Sequence, residues 1–342
     1  MERKVKGHKV SRLNLIEQFI ASNDWRGARY DILADDASFR KYYRVSLGDR
    51  HAVLMDAPPE KEDVRPFLKI AGHLLASGLS APRILAADEA KGLLLLEDLG
   101  NDLFARVLEH HPELEPQLYL AAADVLIRLY QEADKKDYCD VADFTLDKML
   151  QQVSLLPEWF IPLASGEGAG DTAKKTYLDA WREVLGNLPQ VKRVMVLYDF
   201  HAENIFWLPN RREQARAGLI DFQDATMGSP AYDMVSFLED ARRDVSAETV
   251  AKTIGYYLAG TGMPKEDFMA AYSIMGAQRN CRIVGTFARL CVRDGKPRYL
   301  KFMPRVWRHV ENDLAHPLLA PVKEWLDANV APEWRGDLKT AA

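Results

Sequence analysis

Residues 194–233, VMVLYDFHAENIFWLPNRREQARAGLIDFQDATMGSPAYD, restrict this chain more than any other stretch. An apolar run at 194–197 breaks into Tyr198-Asp199-Phe200-His201-Ala202-Glu203-Asn204. A short apolar run follows at 205–208, then a polar turn at 209–216. A third apolar run, Gly218-Leu219-Ile220, ends on Asp221-Phe222-Gln223-Asp224. The pattern reads as a loop followed by a β-hairpin. Asp199 and Asn204 then sit on the loop and Asp221 at the end of the hairpin. Because the hairpin doubles the chain back, Asp221 can lie beside Asn204.

Such a set suits phosphoryl transfer, in which a protein mainly positions groups and neutralises charge. Asn204 and Asp221 offer an amide oxygen and a carboxylate, hard ligands of the kind Mg²⁺ takes together with nucleotide phosphates. Asp199 is left to accept the proton of an attacking hydroxyl. The spacing Asp-x-x-x-x-Asn equals that of the protein-kinase catalytic loop, and Asp221-Phe222 stands where that fold places its magnesium Asp-Phe. Each piece alone is weak, since a strand ending in Asp is usually a turn. The ordered set, closed by Gly228-Ser229-Pro230-Ala231-Tyr232-Asp233, is far more specific.

That set resembles the aminoglycoside phosphotransferase superfamily, the small-molecule relatives of protein kinases. Within it, DDASFRKYYRV, VLMDAPPEKEDVRPF, LLLLEDLG, LYDFHAENIFWLP, LIDFQDATMGSPAYDMVSFLEDARRDV and AQRNCRIVGTFARLCVRDGKPRYL are similar to bacterial anomeric kinases of N-acetylmuramate and N-acetylglucosamine. The resemblance runs from about residue 33 to about residue 300. It implies an α+β, two-lobed protein-kinase-like fold, with a small antiparallel β lobe over residues 1–98 and a mostly helical lobe over 99–342. It also implies ATP and Mg²⁺, with Asp199 as base and Asn204 and Asp221 as metal ligands. Asp233 resembles the Asp that braces the catalytic loop from below.

Composition agrees with this class and excludes others. At 342 residues the chain suits two lobes, and 48% hydrophobic with 28% charged residues is ordinary for a globular protein. No apolar run approaches a membrane span. The N-terminus, MERKVKGHKVSRLN, is basic but has no apolar core, so a secretory signal is not expected and the expected location is the cytoplasm. Cys139, Cys281 and Cys291 form no C-x-x-C pair and no disulfide framework, which fits a reducing compartment. A net charge of −5 gives no reason to bind nucleic acid. The expected partner is a small-molecule amino sugar, with no obligate protein partner evident.

Early in the chain, a helix at 13–21 is followed by turn chemistry, Asp35-Asp36-Ala37-Ser38. A strand follows at 40–46 and another at 52–55. No G-x-G-x-x-G is present. The resemblance instead places Ala37, Ser38 and Phe39 at the tip of a phosphate-covering loop. The lysine that pairs nucleotide phosphates in kinases is missing, because its slot holds Met55. Arg40, Lys41 and Arg44 are candidates to replace its charge. Lys41 faces one side of the strand, Arg40 and Arg44 the other. A helix is expected at 66–79 and strands at 84–87 and 92–96, the last nearly all Leu and so buried on both faces. By resemblance, Glu97-Asp98-Leu99-Gly100 is the hinge that meets adenine, which makes Glu97 and Leu99 nucleotide-contact candidates. Residues 165–171 are rich in glycine but match no phosphate loop, and read as a linker.

Helices are expected at 102–108, 116–133, 145–163, 172–188, 232–243, 246–260 and 264–293. Another spans 299–328, with breaks at Pro304 and Pro317. Between Arg279 and Arg308 nine Lys or Arg oppose one acid, Asp294. Arg279, Arg282, Arg289 and Arg293 fall on roughly one helix face. Either this is a solvated face, or Arg279 and Arg282, with Gln278 or Asn280, reach an anionic substrate such as a sugar acid. A polycationic antibiotic would need an acidic pocket instead. His201 and Asp224 are further substrate candidates, His201 serving otherwise to order the loop. Two alternatives stay open. One is a kinase for an aminoglycoside, choline or homoserine. The other is a nucleotide-binding regulatory protein without activity.

Overall fold

The computed structural model describes residues 11–35, 39–135 and 138–338. The first hundred residues build a five-stranded antiparallel sheet from β1 (Arg29–Asp35), β2 (Lys41–Leu47), β3 (Arg50–Asp56), β4 (Ile84–Asp88) and β5 (Leu93–Glu97). The spatial order is β1-β2-β3-β5-β4. Helix α1 (Arg12–Ser22) opens on Ser11, whose hydroxyl accepts the Asn14 N–H at 3.3 Å. It packs Ile16, Phe19 and Ile20 onto Val45, Leu54, Leu93 and Leu95. On the other face, α2 (Arg65–Ala76) sets Phe67, Ile70 and Leu74 against Met55, Leu94 and Leu96. The leucine run of β5 is thus buried alternately on two sides, as its composition requires.

Strand β1 was not foreseen. Its sequence, RYDILAD, leaves Ile32 59% and Leu33 44% exposed, so no apolar alternation marks it. Its place at the sheet edge comes from antiparallel pairing with β2, Arg29 opposite Ser46 and Asp35 opposite Lys41.

The remainder is mostly helical: α3 (Phe104–His110), α4 (Glu115–Glu132), α5 (Leu146–Val153), α6 (Ile161–Ser165), α7 (Asp171–Gly186), α8 (Ala231–Leu238), α9 (Ala247–Thr261), α10 (Lys265–Val292), α11 (Met303–Asp313) and α12 (Ala320–Asn329). Residues 166–170 link α6 to α7. Pro304 does not break a helix. It lies in the first turn of α11, where its missing N–H is not needed. Two short ribbons cross this part. Strand β6 (Val194–Val196) pairs with β9 (Thr226–Gly228), and β7 (Ile205–Trp207) with β8 (Ala217–Leu219), all antiparallel.

The two lobes are stitched together beside the hinge. Ser80 forms a parallel bridge with Gly218, its carbonyl accepting the Leu219 N–H at 2.7 Å. Arg211, in the turn between β7 and β8, donates to Ser80 Oγ at 2.7 Å and to Glu97 Oε1 at 2.8 Å. A Cβ on Gly218 would lie 2.8 Å from Leu208 and 3.2 Å from Leu99. The missing side chain is what lets the hairpin close under the hinge. One continuous core cluster joins α2 and one face of the sheet to the helical lobe.

Candidate active site

Strand β6 ends at Val196 and the chain turns through residues 197–204. Asp233, in the first turn of α8, holds this turn from beneath. Its Oδ2 accepts the Leu197 N–H at 2.6 Å and its Oδ1 the Tyr198 N–H at 3.0 Å. Burial pushes the Asp233 carboxyl up to about 7, against the pull of those two hydrogen bonds. Tyr198 is left-handed, with φ 77°, a conformation a bulky residue holds only when its surroundings impose it. The turn carries Asp199 out half-buried.

The hairpin brings Asp221 back as its spacing predicts. Ile205 pairs with Leu219, and the Ile220 N–H donates to the Asn204 carbonyl at 3.1 Å. The Asn204 side-chain amide donates to the Asp199 carbonyl at 2.9 Å and lies 3.5 Å from Asp221 Oδ2. Asp221 is itself left-handed, φ 59°, which turns its carboxylate out of the ribbon. Phe222 goes inward and stacks on Phe67 of α2, ring centroids 5.0 Å apart. Asp199, Asn204 and Asp221 are therefore brought together.

Two cavities meet this cluster. One, of about 280 Å³, lies between the lobes. Tyr42, Val53 and Leu96 line it from the sheet, Phe206 and Ile220 from the helical lobe, and residues 97–101 along the connection. Asn204 and Asp221 close its polar end. Glu97 and Leu99 are in place here. The Glu97 side chain is bound to Arg83 at 3.2 Å and to Arg211 at 2.8 Å.

The basic candidates on β2 and just before it part company. Lys41 is exposed on the opposite face, the side of α1, and does not line the cleft. Arg44 faces the cleft side but grips the hinge. It reaches Asp98 at 2.6 Å, Asn101 Oδ1 at 2.7 Å and the Gly100 carbonyl at 2.9 Å. Only Arg40 approaches the polar end, its Nη2 3.5 Å from Asp221 Oδ1 and its Nε 3.9 Å from Glu62 Oε2. The Phe39 N–H, expected towards phosphate, donates to Glu62 Oε1 at 3.2 Å. Ala37 and Ser38 lie outside the described residues.

The second cavity, about 480 Å³, opens on the other side of Asp199. Lys148, Gln151, Gln152 and Leu155 line it at the i, i+3, i+4, i+7 spacing of one helical stripe. Arg279, Arg282, Thr286 and Arg289 of α10 face them, and Arg242 and His201 complete the wall. Arg282 donates to the Tyr198 hydroxyl and stacks 4.7 Å over its ring. Gln152 reaches the same hydroxyl, held in turn by Gln278 at 3.1 Å. Arg279 is 3% exposed, and its Nε and Nη1 have no hydrogen-bond partner. Burial holds its guanidinium below the ordinary value.

Other candidates fall elsewhere. Asn280 turns away into the core, bonded to Glu239 at 2.6 Å and Asp313 at 3.3 Å. One residue along a helix is a rotation of about 100°, which separates it from Arg279. Arg293 pairs with Asp294 on the surface, and Arg305 and Arg308 with Asp244. Three of the nine basic residues of this band are thus spent on ion pairs with Asp294 and Asp244. Asp224 is exposed, takes a hydrogen bond from Gln223 at 3.3 Å and does not line this cavity. His201 does line it, but burial pushes its imidazole down to about 4, so it is neutral at pH 7. Its Nδ1 accepts the Glu203 N–H at 3.3 Å, the expected loop-ordering role. Lys148, Gln152, Tyr198 and Arg242 were not singled out from sequence. The polar stripe at 148, 151 and 152 was the available signal.

Residues 30–272 match the family described as Phosphotransferase enzyme family. The chain is 36% identical to an N-acetylmuramate/N-acetylglucosamine kinase of Caulobacter vibrioides, over 93% of this chain and 96% of the relative. Among solved structures, a choline/ethanolamine kinase family protein from Mesorhizobium loti superposes with a TM-score of 0.61 at 12% identity, covering 92% of this chain and all of that one. An ADP-bound aminoglycoside phosphotransferase gives 0.57 at 17%, covering 91% and 98%. These likenesses establish the two-lobed, kinase-like fold. With its antiparallel lobe, its helical lobe and its matched length, the chain belongs to the phosphotransferase enzyme family.

Proposed function

We propose that this phosphotransferase moves the terminal phosphoryl group of ATP to the anomeric hydroxyl of an amino sugar, N-acetylmuramate or N-acetylglucosamine. The observation that carries the reading is the position of Asp199, between the Asn204–Asp221 pair and an arginine-lined cavity. The name of the Caulobacter relative supports the sugar. Residues 1–98 would form the nucleotide lobe and 99–342 the lobe with the catalytic loop.

The residues present fit a magnesium nucleotide. Asp221 and Asn204 offer two hard oxygen donors at the polar end of the interlobe cleft, enough for an ion that takes its other ligands from phosphate and water. Arg40 already stands against Asp221, a cation where positive charge is called for. Mg²⁺ bound there would neutralise charge on the phosphate oxygens. Asp199 orients the hydroxyl and takes its proton as the oxygen–phosphorus bond forms and the bond to the leaving ADP breaks. An anomeric hydroxyl is more acidic than an ordinary alcohol, so a carboxylate suffices. Arg279 lines the sugar cavity, and two of its guanidinium nitrogens have no hydrogen-bond partner. The lactyl carboxylate of N-acetylmuramate would satisfy them, whereas a polycationic antibiotic would be repelled. The product would be a sugar 1-phosphate, in cytoplasmic salvage of cell-wall sugars.

The test is phosphate transfer from ATP to N-acetylmuramate, N-acetylglucosamine and kanamycin. Sugar 1-phosphate formation is expected, and Asp199→Asn should reduce kcat by roughly 100- to 10,000-fold. Turnover of kanamycin alone would overturn the assignment.

A further inference from the structure

Kinase-like sites bring a positive charge to the nucleotide phosphates from the strand that corresponds to β3. Here that position is Met55, 1% exposed and packed in the core with Leu94 and Phe67. No cation can be recruited from it. The neighbouring strand and the residue just before it supply three basic residues, and the fold disposes of two. Lys41 points to the α1 side, and Arg44 spends its guanidinium on Asp98, Asn101 and the Gly100 carbonyl. Arg106 also lines the interlobe cavity, but at the hinge end, where it reaches the Asn101 carbonyl at 3.4 Å.

Arg40 differs from all of these in place and in surroundings. It precedes β2 and lies between two carboxylates, 3.5 Å from Asp221 and 3.9 Å from Glu62. Its side chain is only 12% exposed. Glu62 also accepts the Phe39 N–H at 3.2 Å, so this one carboxylate holds both the backbone and the side chain of residues 39–40. We propose that Arg40, positioned by Glu62, is the phosphate-binding cation of this enzyme, replacing the lysine that the Met55 position lacks. The site would take a nucleoside triphosphate through its phosphate oxygens. A guanidinium suits the task, because its planar fork pairs two phosphate oxygens at once. Asp221 has a double use. It holds Arg40 at the polar end of the cleft before the phosphates arrive, and a divalent cation on Asp221 would release the guanidinium to them.

The inference rests on the nucleotide reading above, and calorimetry separates the two. Binding of adenosine, ADP and ATP, each with Mg²⁺, is measured for the unmodified chain and for Arg40→Ala, Arg40→Lys, Glu62→Gln and Arg106→Ala. Melting temperatures serve as the folding control. Arg40→Ala should weaken ATP by roughly 10- to 100-fold, the loss of a charge-assisted hydrogen-bond pair, and leave adenosine within about twofold. Arg40→Lys, which keeps the charge without the fork, should fall between. Glu62→Gln should weaken ATP less than Arg40→Ala. An unmodified chain that binds neither ATP nor ADP would sink the nucleotide reading and this inference together. An unmodified chain that binds ATP, with Arg40→Ala binding it equally well, would sink this inference alone. ATP affinity lost in Arg106→Ala and kept in Arg40→Ala would move the role to the hinge end and overturn it too.

Discussion

Arg279→Met is expected to change stability and specificity in opposite directions. The guanidinium of Arg279 is 3% exposed, and two of its three nitrogens lack a hydrogen-bond partner. Each unsatisfied buried group costs about 1–3 kcal/mol of lost hydration. Methionine has similar length and no polar hydrogen. Replacing a poorly compensated buried charge with it should stabilise the free protein by roughly 1–4 kcal/mol, a Tm rise of a few degrees. The same change removes the donor proposed to meet the substrate carboxylate. One hydrogen bond between charged partners contributes about 1.5–3 kcal/mol. The kcat/KM for N-acetylmuramate should therefore fall roughly 10- to 100-fold. N-acetylglucosamine carries no carboxylate, and its kcat/KM should stay within about twofold. Differential scanning fluorimetry and a coupled ADP-release assay on both sugars measure these quantities. A lower Tm with equal losses on both sugars would refute the reasoning and make Arg279 a structural residue.

Two more variants test the support of the site. Asp233→Ala leaves the buried N–H groups of Leu197 and Tyr198 unpaired, so it should cost roughly 2–5 kcal/mol of stability. It should also lower kcat more than it raises the KM for ATP, read by thermal melts and initial rates. Glu239 and Asp313 form a buried carboxyl pair, bridged by Asn280 and flanked by Tyr272 and Arg279. Burial raises Glu239 from 4.5 to about 7, and burial with the neighbouring Glu239 raises Asp313 well above the ordinary carboxylate range. A carboxyl raised on folding keeps a proton that the unfolded chain has released. Its contribution to stability is full at low pH and declines as the pH rises from about 4.5 towards 7. Asp313→Asn removes the like charge, so its Tm relative to the unmodified protein should increase between pH 5 and pH 8. A difference that does not change with pH would count against the buried pair.

The proposed reacting cluster was legible from sequence because it is local. Asp199, Asn204 and Asp221 lie within 23 residues, and a turn, a hairpin and a strand end are enough to bring them together. The leucine run of β5, the amphipathic stripe of α2 and the helices were legible for a similar reason, since each is written as a period along a short segment. The bracing role of Asp233 came with the motif. Strand β1 was not legible, because Asp31, Ile32 and Leu33 are all exposed and its hydrogen bonds come from a partner strand.

What only the tertiary structure decided is which charged residues face the site. Alternation along β2 separates Lys41 from Arg44, but it cannot say that Arg44 will be captured by Asp98 and Asn101. That depends on how the sheet meets the hinge. Helix α10 is buried over most of its circumference, so its sequence marks no outward face. The arrival of α5 on one side and of α11 on another turns Arg279 into the cavity and Asn280 into the core. Charge is read at a distance of a few ångströms, and those distances are set by packing between elements far apart in the chain. The chemistry of the site was therefore written locally, while its electrostatics were assembled by the fold.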